Sequence, residues 1–177
     1  MAQCMFCSTE LAEGAVFCHA CGKKQVKVYQ QTFQRGSMKE DVFIANVNQW
    51  FATYPRVANV KAQIHLRSAG GMMVNKYVLE AVSIEYELLN GNNINQYGMV
   101  SLSKFGLTCT NTDTLVNQWR AQNPGATVIA RNGGVHQRGQ SGSLALGGFG
   151  ASNNTQVYLL FKYNRQYGTA QLPPVQQ

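Results

Sequence analysis

The chain has 177 residues, 45% of them apolar, a formal charge of +7 and charged side chains at only 13% of positions, about half the usual share. That length accommodates one ordinary domain plus a small module. No run approaches the roughly 18 apolar residues of a membrane helix, and no basic-then-apolar leader opens the chain; the expected setting is soluble and cytoplasmic.

The first element is a metal module. Cys4, Cys7, Cys18 and Cys21 fall in a C-x2-C-x10-C-x2-C pattern. A tight C-x2-C turn presents two sulfurs to one ion, and two such turns complete the tetrahedral shell that Zn²⁺ prefers. Gly22 follows the last cysteine, where a turn needs backbone freedom, and Leu11 with Val16 and Phe17 is expected to form a small apolar cover. A segment this short has no core of its own, so a structural Zn²⁺ must supply its folding energy. Disulfides would need an oxidising compartment, and a redox CxxC normally sits beside a βαβ pattern that is missing here. His19, inside the second turn, either replaces a ligand or faces solvent.

The stretch "ELAEGAVFCHACG" resembles the short bacterial zinc-ribbon family, whose members read roughly L-x-x-G-A-x-F-C-x-x-C-G. The resemblance covers residues 1–25 and implies a structural or docking module rather than a catalyst. Ser8 stands where the family carries glycine, which implies some strain in the first turn and no loss of a ligand.

Residues 26–36 read as an extended linker with some strand character. The basic residues around it, Lys23, Lys24, Lys27 and Arg35, either touch phosphate or are simply solvated.

Beyond the linker, "VNQWFATYP" at 47–55 recurs as "VNQWRAQNP" at 116–124, with six of nine positions identical and both tryptophans included. Each copy follows a capping signal, Ser37 with Glu40 and Thr110 with Asp113, and each ends at a proline. The spacing predicts helices over about 38–53 and 111–122. After the first, Val60, Ala62, Ile64 and Leu66 alternate with Lys61, Gln63, His65 and Arg67, a half-buried strand. "KYVLEAVSIEYELL" is its partner and "GMVSLSKF" a third strand. In the second copy "ATVIAR" and "TQVYLLFKY" take the strand roles, and the latter is apolar on both faces, as a central strand is. The expected fold is α+β. Residues 37–167 form an antiparallel sheet of about five strands with two helices on one face, built from duplicated α-β-β units at 37–107 and 108–167. Residues 168–177, with Pro173 and Pro174, read as a flexible tail.

Reactive groups are sparse. Asp41 and Asp113 sit at helix starts, where carboxylates favour the dipole. Glu85 and Glu87 face the same side as Lys61 and Arg67, an ordinary cross-strand pairing. His65 and His136 lack nearby carboxylates and are expected to be exposed. Cys109, alone in "GLTCTNT", reads as a small apolar group. The glycine-rich segment 131–154 reads as a long loop that is mobile, docks a partner or, through Arg131 and Arg138, touches RNA.

No catalytic residue is expected. The reading is a non-enzymatic zinc-ribbon protein, a protein-binding or adaptor module of bacterial type. The alternative is a nucleic-acid binder using Lys23, Lys24, Lys27, Lys61, Arg67, Arg131 and Arg138. An enzyme with an unfamiliar site is the third possibility.

Overall fold

The computed structural model describes residues 2–4, 6–12, 15–24, 27–69, 77–89, 92–106, 110–137 and 153–164. A two-stranded ribbon, β1 (Ala2–Gln3) with β2 (Glu10–Leu11), comes first. The remainder runs β3 (Val28–Gln34), α1 (Glu40–Thr53), β4 (Val57–Ser68), β5 (Tyr77–Leu88), β6 (Asn95–Gly106), α2 (Thr112–Gln122), β7 (Ala126–Gln137) and β8 (Asn153–Asn164). Among the described residues the fold is α+β, with two helices and, beyond the ribbon, two antiparallel sheets of three strands, ordered β3-β5-β4 and β6-β8-β7.

This corrects the expected single sheet of about five strands. The linker residues 28–34 are a paired strand, and "GMVSLSKF" belongs to the second sheet as β6, where β8 is its neighbour. Each half is therefore β-α-β-β, over 28–88 and 95–164, rather than α-β-β with an extra strand. The helices do not share one face either. Val116 and Trp119 of α2 pack with Val100, Val157, Leu159 and Phe161 on one side of the second sheet. Its other side sends Tyr97, Met99, Tyr158 and Leu160 into a core with Phe43, Val47 and Phe51 of α1 and with the first sheet. β8 lies between these two cores, which is why its residues are apolar on both faces.

The halves share several features of register, although β4 slips a second time, between His65 and Leu66, without a counterpart in β7. The shift that carries Val47 onto Val116 also carries Gln30 onto Met99 and Val57 onto Ala126. Their cross-strand partners correspond as well: Glu85 with Leu160, and Leu88 with Tyr163. Each second strand slips its register at the same place, between Ala58 and Lys61 in β4 and between Val128 and Ala130 in β7. A bulge inserts one unpaired residue and sharpens the twist, so its repetition is a specific likeness. Trp50 meets Tyr86 at 5.2 Å between ring centroids, and Trp119 meets the corresponding Phe161 at 5.0 Å.

The helix starts differ from expectation. Lys39 occupies the α1 N-cap and no side chain caps it. Glu40 turns away from the backbone to accept the hydroxyl of Tyr158 at 2.7 Å, the amide of Gln156 at 2.8 Å and the hydroxyl of Ser101 at 3.1 Å. Burial, then Glu40, pushes the Tyr158 phenol well above its ordinary range. At α2, Asn111 rather than Thr110 is the N-cap, taking the Asp113 N–H at 3.0 Å.

Residues 131–137 are strand rather than loop. A Cβ on Gly133 would lie 2.3 Å from the Gln156 carbonyl oxygen, so glycine permits β8 to approach there. His136 is buried, not exposed, and accepts the Tyr77 N–H at 3.1 Å. Residues 138–152, with Arg138, and also Cys109 and the tail 168–177, lie outside the described residues.

Candidate metal centre

Two short turns with the same hydrogen bonds hold the four cysteines. In the first, Ser8 N–H reaches the Cys4 carbonyl at 3.0 Å and Cys4 N–H the Thr9 carbonyl at 2.8 Å. In the second, Gly22 N–H reaches the Cys18 carbonyl at 2.8 Å and Cys18 N–H the Lys23 carbonyl at 2.9 Å. In each, the N–H two residues on, Phe6 or Ala20, points at the first sulfur from 3.4 Å. The residue after each second cysteine is left-handed, Ser8 at φ 57° and Gly22 at φ 67°. Glycine adopts that region freely; serine pays a steric cost of about 1 kcal/mol there.

These matched turns bring the sulfurs of Cys4, Cys7, Cys18 and Cys21 within 4.8 Å of one another. Cys4 Sγ lies 3.6 Å from Cys21 Sγ, and Cys7 Sγ 3.6 Å from Cys18 Sγ. A disulfide needs about 2.05 Å. A tetrahedral thiolate shell with metal–sulfur bonds of about 2.3 Å has sulfur–sulfur edges of about 3.8 Å. The cluster therefore fits a metal ion and not a pair of disulfides. His19 is exposed and stands apart from this set.

The protonation balance agrees with that chemistry. The Thr9 hydroxyl, then its backbone, lowers the Cys7 thiol to about 6. Against the pull of the Lys23 backbone, burial and the sulfurs of Cys7, Cys18 and Cys4 push Cys21 up to about 12. Four sulfurs this close resist shedding every proton until a cation offsets their charge.

Among the described residues of the ribbon, only Cys4 and Cys18 are buried. Val16 and Phe17, expected to cover it, are exposed at 46% and 60%, and Phe6 at 55%. Lys23 Nζ stands 4.6 Å from the centre of the Phe6 ring. The ribbon meets the sheet domain through Lys24, which pairs with Glu87 at 3.1 Å. Glu87 also accepts from Asn59 at 2.5 Å; that bond, then Lys24, holds its carboxyl below the usual range, with burial opposing.

The other candidate contact residues are interleaved with carboxylates. Lys61 sits opposite Glu85 in the β4–β5 register, and Arg67 lies 4.0 Å from Glu80. Arg131 is tied to Asp113 at the start of α2. Lys27 lies over the Tyr29 ring, 5.1 Å from its centre. His65 contacts the Ser83 hydroxyl at 3.0 Å.

Comparison of the chain with protein-family models, with curated proteins and with solved structures finds no match. Among the described residues, no helix is long and apolar enough to cross a membrane.

Proposed function

We propose that this protein is a non-enzymatic, cytoplasmic adaptor of bacterial type: a structural-zinc ribbon carried on a domain of two duplicated β-α-β-β units. The single observation that carries the reading is the pair of matched cysteine turns with four sulfurs inside 4.8 Å. An all-cysteine tetrahedral set suits a closed structural zinc site, which leaves no position open for substrate. With zinc bound, four thiolates and one divalent ion lower the chain's formal charge by two.

The ribbon's exposed Phe6, Val16 and Phe17 supply an apolar surface for a protein partner. Duplication is supported by the shared register, the shared bulge and the paired Trp–aromatic contacts. A non-enzymatic role is supported by the carboxylates, since Glu40, Glu80, Glu87 and Asp113 each contact a structural partner.

The test combines metal analysis of protein purified without chelator and affinity capture from a native lysate. One zinc per chain, and a captured protein lost with Cys18→Ser, is the expected result. A metal-free chain, or capture unchanged by Cys18→Ser, overturns it.

A further inference from the structure

The two three-stranded sheets have four outer edges, and the chain covers three of them. β6 is closed by α1, whose Asn48 side chain bonds both backbone groups of Met99. β4 and β7 lie against each other, and Asn132 Nδ2 reaches the Ile64 carbonyl at 2.8 Å. The fourth edge is β3. Among the described residues no helix or strand lies along its outer side.

The register fixes which backbone groups face outward there. Arg35 N–H bonds the Glu80 carbonyl at 2.8 Å, and Phe33, Gln31 and Tyr29 follow opposite Val82, Ile84 and Tyr86. Antiparallel bonding alternates, so Val28, Gln30, Thr32 and Gln34 turn their N–H and C=O groups away from the sheet. Among the described residues, Gln31 Nε2 on the Thr32 carbonyl is the one bond made to these outward groups. Gln30 corresponds to Met99, which is fully buried under α1 in the other half; Gln30 is exposed.

Edges left open normally carry lysine, proline or a bulge. β3 reads Val-Tyr-Gln-Gln-Thr-Phe-Gln, with no charge, no proline and no glycine. Cations stand only at its ends, Lys27 and Arg35. Beyond Arg35 lies a cleft of about 430 Å³ lined by Arg35, Ser37, Arg67 and Glu80 among others.

We propose that β3 is an acceptor edge, to which a partner protein adds an extended strand carrying acidic residues at its ends. Main-chain bonds to Val28, Gln30, Thr32 and Gln34 provide the binding, as in other strand-addition complexes. Lys27 and Arg35, at the two ends of the strand, select the acidic flanks, helped by the net positive charge that the chain keeps with zinc bound. That charge disfavours a second copy as occupant: antiparallel self-pairing centred on Gln31 sets Lys27 opposite the other copy's Arg35. The inference rests on the reading of the protein as an adaptor and names the binding mode of its partner.

The probe is a capped seven-residue peptide of alternating valine and threonine with an aspartate at each end. Its counterpart carries lysines instead. With the full zinc-loaded chain, the expected result is saturable binding of the acidic peptide, at least tenfold tighter than the lysine peptide. Exchange of the Gln30 and Thr32 amides slows at least tenfold in the complex. Thr32→Pro removes one outward N–H where an edge tolerates proline, and binding falls tenfold or more. A peptide methylated on alternate backbone nitrogens loses binding without any change to the protein. No binding of the acidic peptide overturns the proposal, as does equal binding of the methylated peptide, or outward amides already protected in the isolated monomer. Self-association that Thr32→Pro abolishes assigns the edge to a second copy and overturns it too. Lysate capture lost with Cys18→Ser but kept with Thr32→Pro removes the acceptor edge and leaves the adaptor reading standing.

Discussion

Asn48 and Met99 are joined like neighbouring strands: the Met99 N–H reaches Asn48 Oδ1 at 2.6 Å, and Asn48 Nδ2 reaches the Met99 carbonyl at 3.0 Å. A helix side chain thus satisfies both outward backbone groups of one residue in an edge strand. Gly98, beside Met99, helps this approach, since a Cβ there would lie 3.3 Å from Asn48 Oδ1 and 2.8 Å from the Phe161 ring.

Removing that amide leaves two backbone groups at a buried position without partners. Asn48→Ala is expected to cost about 2–6 kcal/mol, from about 1–3 kcal/mol for each of the two orphaned groups. Its counterpart in α2, Asn117, is exposed, and Asn117→Ala is expected to stay within about 0.5 kcal/mol. Urea unfolding of both variants checks this, and equal effects would refute the clamp.

The Glu40–Tyr158 contact gives stability a dependence on alkaline pH. Burial first, and Glu40 second, raises the Tyr158 pKa in the folded state. The folded phenol therefore keeps its proton where the unfolded one, with a pKa of about 10, has lost it. Its stabilising contribution is full below pH about 10 and falls as pH rises further. Tyr158→Phe is expected to make the alkaline decline shallower. A residual decline remains, because burial raises Tyr86 and Tyr97 as well. Urea midpoints between pH 8 and pH 11 that decline equally in both proteins would contradict this.

The left-handed residues of the cysteine turns predict opposite outcomes for two substitutions. Ser8→Gly is expected to strengthen metal retention by up to about 1 kcal/mol, and Gly22→Ala to weaken it by about 1 kcal/mol or more. Competition with a chelator reads both, as changes of about fivefold in opposite directions. No difference between the variants would show that the ribbon backbone relaxes.

Much of the local structure was legible because it is written in neighbouring residues. Period-two alternation marked β4, the apolar run marked β8 as central, and the Pro55 and Pro124 stops placed the helix ends within a residue or two. β3 was harder to read. Its inward row includes Gln31 between Tyr29 and Phe33, and Val28 on its outward row is 56% exposed, so the alternation is weak. The division into two sheets depends on long-range pairing of β6 with β8, which no local pattern encodes. The expected capping role of Glu40 failed for the same reason, since Tyr158 and Gln156 are more than a hundred residues away. At the candidate metal centre the cysteine spacing announced which four sulfurs come together. The exposure of Val16 and Phe17 did not follow from their apolar character, because two dozen residues offer no interior in which to place them.

We attribute the order of the described residues within 2–24 to a metal ion rather than to side-chain burial. Amide exchange measured before and after chelation, together with metal content, tests it most directly. The expected result is one zinc per chain, protection of the Cys4, Ser8, Cys18 and Gly22 amides that vanishes on chelation, and unchanged protection in β5 and β8. Chelation that leaves those four amides protected, or cysteines found oxidised in pairs with no metal bound, would contradict it.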